Sequence, residues 1–359
     1  MSKRFLLVAF VTILILSVLS FALDVGVVLP TNVEPRWVQD ETRFRQALES
    51  TDYSVEILFS QGSPAKEREN VEALIAKGIK VLIICPHDAV AAAASAQLAK
   101  KNGVYVISYD RLIMNTDAVD YYVTFDSVEV GRAMGRFLVE KVKPGTKDNP
   151  LYLYAGALSD NNSFLFFQGA WEILQPKIAD GTFKIVNSNE AEKLKNKKDL
   201  TRDEMARIIS QITTNWDFNT AKRKAEDDLT RAKKSDKGTV YILTPNDGTA
   251  RAIADAFRAD RDVKEYYITG QDAEKASIQY ILDGKQSMTV FKDVRLLVKD
   301  AINLAKMLME GKKPQTTATY FNNVKDVPAI QSEIQVITKE NVKEVLIDSG
   351  YYSESDFNW

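Results

Sequence analysis

Cysteine is almost absent from this chain. Cys85 is the only one in 359 residues, so no internal disulfide is possible and stability must come from buried surface. Histidine is equally scarce, with His87 alone, and one histidine with one cysteine cannot supply the His/Cys spacing of a metal cluster. No Gly-x-Ser-x-Gly elbow with a partner histidine occurs, nor any Gly-rich phosphate loop, so nucleophilic hydrolysis and nucleotide chemistry have no motif to stand on. Neither sign of charge dominates: 47 basic and 49 acidic residues leave a net charge of −2, and nothing points to nucleic acid as a partner. No cofactor and no metal are expected.

Long apolar runs are also lacking, with one exception at the start. Met1-Ser2-Lys3-Arg4 leads into an uncharged run from Phe5 to Leu19 that ends in Ser20-Phe21-Ala22. This pattern predicts a secretory signal peptide over 1–22, cut after Ala22. The run just misses the length of about 20 apolar residues that a spanning helix needs. No cysteine stands at the cut, so a lipoprotein is not expected, and the predicted location is periplasmic or extracytoplasmic. Without Lys3 and Arg4 the mature chain carries 45 basic and 49 acidic residues, net −4. It is long enough for two cores.

What is present is an alternation. Short β-branched and aromatic runs at Val25 to Leu29, Val81 to Cys85, Val104 to Ser108 and Tyr121 to Phe125 read as buried parallel strands. Cys85, inside one of them, reads as an inert buried thiol. Between the runs lie amphipathic helices, with Val71, Leu74 and Ile75 on one face and Val130, Met134, Phe137 and Leu138 on another. The grammar restarts at Leu151 to Ala155, Phe183 to Val186, Val240 to Leu243, Tyr266 to Thr269 and Met288 to Phe291. A long helix through Leu297, Ala301, Leu304, Ala305 and Leu308 stops at Gly311. The fold class is α/β, two doubly wound parallel-sheet, Rossmann-like domains. The Lys-, Asn- and Glu-rich stretch 187–216 reads as a solvated insertion, with a short helix available through Met205, Ile208, Ile209 and Ile212.

In doubly wound sheets the ligand lies beyond the carboxyl ends of the strands. Those positions carry Thr31-Asn32 and Arg36-Trp37, Tyr109-Asp110-Arg111, Asp160-Asn161-Asn162, Pro245-Asn246-Asp247, Gly270-Gln271-Asp272 and Lys292. Long directional hydrogen-bonding groups beside flat aromatic surfaces, Trp37 and Trp216, match a sugar, whose hydroxyls donate and accept and whose C–H faces are weakly apolar. Each group also has a plainer use: a surface turn at Asp110-Arg111, a helix cap at Asn246-Asp247 or Asn161-Asn162, a core position for either tryptophan. Their shared placement at strand ends favours a binding site.

With these residues in view, the chain resembles the periplasmic xylose-binding and multiple-sugar-binding proteins of bacterial ABC transporters, within the ribose/galactose-binding group of the periplasmic-binding-protein type I fold. The resemblance rests on Leu29-Pro30-Thr31 with Arg36-Trp37, Ile107 to Arg111, Ser159 to Asn162, Gly270 to Ala273, Phe291-Lys292-Asp293 and Gly350-Tyr351-Tyr352, in family order. It implies sugar-binding roles for Arg36, Trp37, Asp110, Arg111, Asn162, Trp216, Asn246, Asp272 and Lys292. It also implies a three-segment hinge between lobes at 24–125 plus 293–323 and 126–292 plus 324–359. The implied ligand is a monosaccharide, xylose first and glucose second. The implied partners are an ABC importer permease and, as a further recipient, a chemoreceptor or sensor, with the protein a monomer.

Two rival classes were weighed. A sugar-active enzyme would use Asp110 and Asp272 as an acid and base pair, but charge-assisted binding explains those aspartates together with their arginines. A DNA-binding regulator on this fold would begin with a helix-turn-helix headpiece rather than an export signal.

Overall fold

The computed structural model describes residues 23–49 and 51–359, and the signal peptide expected over 1–22 lies outside them. The four apolar runs of the first unit become β1 (Val25–Leu29), β3 (Val81–Ile84), β4 (Tyr105–Tyr109) and β5 (Tyr121–Phe125), and Val55–Phe59, which the sequence reading passed over, adds β2. They pair in parallel in the order β2-β1-β3-β4-β5. Continuous burial of β1 and β3 explains why these strands read as solid apolar runs: helices cover both faces. The second unit repeats the order. It contains β6 (Asn149–Leu153), β7 (Phe183–Ile185), β8 (Gly238–Leu243) and β9 (Val263–Ile268), arranged β7-β6-β8-β9. Next to these, β10 (Thr289–Phe291) is tied on by a parallel bridge between Gln271 and Val290. Each unit therefore reverses direction between its first and third strands, which opens a crevice at the carboxyl ends.

Three strands close the chain: β11 (Ala318–Phe321), β12 (Asp326–Ser332) and β13 (Gln335–Ile337). The first two extend the first sheet, and β13 pairs antiparallel with β10 in the second unit. The boundary expected at 323 is thereby corrected. Ala329–Ser332 of β12 pair with Tyr122–Phe125 of β5, and the chain crosses only at 333–334, where Ile334 packs against the cores of both units. The chain also passes between the units after β5 and after β10.

Helices α1 (Pro35–Leu48), α2 (Pro64–Ala76) and α3 (Ala93–Lys101) belong to the first unit. The second holds α4 (Ser127–Lys141), α5 (Asn161–Ala179), α6 (Asn189–Lys193), α7 (Arg202–Ile212), α8 (Phe218–Arg231), α9 (Asp247–Ala259) and α10 (Lys275–Leu282). The long helix α11 (Val294–Met309) returns to the first unit, burying Leu297, Ala301, Leu304, Ala305 and Leu308 against Val27, Phe44 and Ile83. Gly311 ends it in the left-handed region, φ +67°.

The stretch 187–216 is not simply a solvated insertion. A capping box between Thr201 and Glu204 starts α7, whose Met205, Ile208, Ile209 and Ile212 are buried in the core of the second unit. Arg202, Asp203, Arg207 and Ser210 lie on the exposed face, so the stretch reads as solvated although one face of its helix belongs to the core. Helices α4 and α5 cross closely at Gly131 and Gly169: a Cβ at Gly131 would lie 2.0 Å from the carbonyl oxygen of Phe166. That contact sets the depth at which α5 delivers its first turn to the crevice.

Candidate functional site

The first turn of α1 follows β1 directly. Pro35 pre-sets the helical φ, and Arg36 and Trp37 then face inward, each 3% exposed. Arg36 is fixed within its own helix by Asp40, one turn on, through Nε to Oδ2 at 2.6 Å and Nη2 to Oδ1 at 3.3 Å. Asp40 in turn accepts a bond from the Tyr109 hydroxyl at 2.6 Å. The guanidinium has two further partners. Nη2 donates to Asp110 Oδ2 at 2.9 Å, and Nη1 crosses to the second unit to donate to Asp272 Oδ1 at 3.1 Å. Burial opposes its charge, but Asp40, Asp110 and Asp272 more than offset this and hold it firmly protonated.

The end of β4 supplies Asp110 and Arg111. Asp110 sits in the left-handed region, φ +60°, a conformation that costs a non-glycine residue about 1–3 kcal/mol and is kept only where the surroundings enforce it. Here they do. Its carbonyl accepts from the Tyr122 hydroxyl at 2.6 Å and, across the crevice, from Asn162 Nδ2 at 3.0 Å. Burial pushes the Asp110 carboxyl up, yet Arg36, Lys292 and Arg111 outweigh that and leave it below its ordinary range. Arg111 Nε meets Asp160 Oδ2 at 2.8 Å, again across the crevice, and its guanidinium lies 4.9 Å from the ring centre of Trp37. The alternative of a surface turn at 110–111 is excluded, since both residues are 5% exposed.

The second unit presents its groups through helix starts and turns. Asp160, not an asparagine, caps α5 by accepting from the Asn162 amide at 2.9 Å. This leaves the Asn162 side chain to face the first unit. Asn246 caps α9, its Oδ1 accepting from the Thr249 amide at 3.2 Å and hydroxyl at 2.6 Å. Capping engages Oδ1, and the residue also lines the crevice. Asp272 has φ +100° and meets Lys292 Nζ at 2.8 Å. Trp216 has φ +61° and lies on Gly156, where a Cβ would come within 2.0 Å of indole Cζ2. Only glycine admits the ring there.

These groups surround a narrow cavity lined by residues of both units. All nine residues singled out from the sequence reach its wall: Arg36, Trp37, Asp110, Arg111, Asn162, Trp216, Asn246, Asp272 and Lys292. Four more were missed, namely Glu34, Asp160, Phe166 and Gln271. Glu34, Asp160 and Gln271 sit beside or within the motifs already quoted. Phe166 carried a helical signal, standing four residues after Asn162 and so on the same face of α5. Its ring meets Trp216 edge to face at 6.4 Å and takes the Lys292 ammonium at 5.7 Å.

The charge pattern constrains the ligand. Each cation in the wall already has a carboxylate: Arg36 has Asp40, Asp110 and Asp272, Arg111 has Asp160, and Lys292 has Asp272. No surplus positive charge awaits a phosphate or carboxylate. Fixed, desolvated donors and acceptors beside two indoles suit a neutral polyhydroxyl molecule. Among the described residues no cluster of metal-ligating side chains occurs.

Comparison with known proteins agrees with this geometry. The family model described as a periplasmic binding protein domain matches residues 25–313. The multiple sugar-binding periplasmic receptor of Rhizobium radiobacter is 32% identical over 344 residues, covering 93% of this chain and 92% of that protein. The D-xylose-binding periplasmic protein of Escherichia coli is 29% identical, covering 99% of both. The crystal structure of a carbohydrate transporter solute-binding protein from Chloroflexus aurantiacus, in complex with D-glucose, superposes with a TM-score of 0.92. It shares 69% identity over 94% of this chain and 98% of that one.

Proposed function

The chain belongs to the periplasmic binding protein family, and from that premise we propose that it captures a monosaccharide between its two lobes and presents the closed form to an ABC-type importer. The observation that carries this reading is the crevice wall itself, a set of ion-paired donors and acceptors with two tryptophans, drawn from both lobes. The moving bodies are residues 24–125 with 293–332, and 126–292 with 335–359. A ligand that touches both favours closure by its differential affinity for that state. Export by the segment 1–22 completes the assignment, placing the protein outside the cytoplasm.

Glucose is placed ahead of xylose, reversing the order that the sequence suggested. The support is the D-glucose complex of the Chloroflexus aurantiacus protein at 69% identity, against 29% for the Escherichia coli xylose-binding protein. Hydrolysis is disfavoured on electrostatic grounds. Asp110 is held low and ion-paired, so it has no proton to donate near neutral pH.

Calorimetric titration of the mature protein, unfolded and refolded to strip bound ligand, with glucose, xylose, galactose, arabinose and ribose tests the proposal. One or two sugars binding with micromolar or tighter dissociation constants, about −8 kcal/mol or better, is expected. No heat with any of the five would overturn it.

A further inference from the structure

The motif Gly350-Tyr351-Tyr352 stands apart from the residues that line the crevice. Both tyrosines are buried, Tyr351 at 3% and Tyr352 at 8% exposure, in a core of the second lobe with Ala273, Phe291 and Ile337. Each is also gripped from the first lobe. Arg36, Gln39 and Arg43 stand at i, i+3 and i+7 of α1, on one face of it, and all three reach across. Arg36 meets Asp272 inside the crevice, Nη1 to Oδ1 at 3.1 Å. Gln39 Nε2 donates to the Tyr352 hydroxyl at 3.1 Å, and Arg43 Nη2 donates to the Tyr351 carbonyl at 3.1 Å. The Tyr351 ring has two guanidiniums of the first lobe against it, Arg43 at 5.2 Å and Arg295 at 4.9 Å from its centre.

The Tyr352 hydroxyl has a second bond. It donates to the Ala273 carbonyl at 2.8 Å while accepting from Gln39, so a single oxygen joins the two lobes. Ala273 follows Asp272, and both have left-handed backbones, φ +50° and +100° respectively. Conformations of this kind persist only where the surroundings hold them. Tyr352 fixes the carbonyl of that turn from outside the crevice, and Arg36 and Lys292 hold the Asp272 carboxylate from within. Helix α1 and the 272–273 turn are thus bridged twice, once in the crevice wall and once beyond it.

We propose that Tyr352 is a latch between the lobes. Its hydroxyl ties α1 to the turn that carries Asp272 when the crevice is shut, and it favours the closed state by a bond that the open state lacks. It is a positioning residue, because it acts on the sugar only through Asp272 and through closure. The inference rests on the two-lobe sugar-binding reading above.

The test is the dissociation constant and the dissociation rate, by tryptophan fluorescence in rapid mixing, for each of the five sugars that the wild type binds. Tyr352→Phe keeps the ring and removes the hydroxyl. Gln39→Leu, at a half-buried position of α1, cuts only the bond between the lobes. Each should weaken binding about three- to tenfold, the worth of one hydrogen bond, by the same factor for every sugar and through a faster dissociation rate. The double variant should bind no more weakly than Tyr352→Phe, because both changes remove the same bond. A merely structural role would lower the urea midpoint of Gln39→Leu and leave its sugar dissociation unchanged. That result, a loss confined to Tyr352→Phe, or an additive double variant would overturn the latch and leave monosaccharide binding standing. A wild type that binds none of the five sugars removes the functional reading and the latch with it. Should Tyr352→Phe lose its cooperative thermal transition, Gln39→Leu decides alone.

Discussion

The two lobes build their halves of the crevice by different means. In the first, the side chains are held chiefly by charge: Arg36 is clamped by Asp40, which is itself held by Tyr109. In the second, backbone contributes more: Asp160 and Asn246 are helix caps and Trp216 sits in a left-handed turn, while Asp272, like Asp110 opposite, combines a left-handed backbone with ion pairs. Deleting a charge should therefore break the first wall, and adding a methyl group or removing a cap should break the second. Closure couples them through Arg36 to Asp272, Arg111 to Asp160, and the Ala89 amide donating to the Ser159 carbonyl at 2.9 Å.

The largest effect is expected at the hub of the ionic wall. Arg36→Leu leaves Asp40, Asp110 and Asp272 without their shared cation, and breaking a buried pair in this way costs about 3–5 kcal/mol. Urea unfolding should register that loss and calorimetry should find no sugar binding. Near-normal stability would mean that the carboxylates find other partners and that the first wall is not held by charge.

A buried carboxylate of the same lobe without a clamping cation sharpens the contrast. Glu67 is 1% exposed and accepts from the His87 amide at 2.8 Å. Burial raises its carboxyl to about 7, with the His87 amide and Arg111 opposing and Asp88 assisting. Because the folded-state value lies above the ordinary one, the stabilising contribution is full below about pH 4.5 and is lost as pH rises through 7, as the unfolded chain ionises first. The decline should reach on the order of 3 kcal/mol. Glu67→Gln should flatten the stability profile between those limits, measured by urea midpoints at several pH values; an unchanged slope would locate the titration elsewhere.

Gly156→Ala tests the backbone-held wall. The added methyl group occupies the place of the Trp216 indole, so the ring must leave, with a loss of about 2 kcal/mol in sugar affinity, the scale of a central aromatic contact. Indole fluorescence should report the displacement. Retained affinity would show that Trp216 supports the wall without touching ligand. The smallest effect is expected for Asn246→Ala, about 1 kcal/mol of stability for the lost cap of α9, with Asn246→Asp recovering most of it in thermal unfolding because a carboxylate caps equally well.

The strands were legible because parallel strands covered on both faces leave unbroken apolar runs, and β1, β3 and β5 lie where those runs predict. Helix α7 was legible in the spacing of Met205, Ile208, Ile209 and Ile212, but its place in the core of the second unit was not. The hinge boundary after β12 was misplaced for another reason. Its half-buried pattern carries no mark of which sheet it joins, and only pairing with β5 decides that. In the site, motif residues were readable and their bonds were not. Nothing in the order of residues ties Arg36 to Asp272, 236 positions away. Phe166 carried only the helical spacing from Asn162, and an aromatic on a helix face usually means packing.

Residue order alone settled the alternation of strand and helix, the absence of disulfide and metal frameworks, and the polar groups at strand ends, all of which follow from local periodicity and side-chain chemistry. Tertiary structure decided which carboxylate neutralises which cation, which asparagine is a cap, and which residues of the two units share one crevice wall. Those depend on distances between segments far apart in the chain, and only the packed fold sets them.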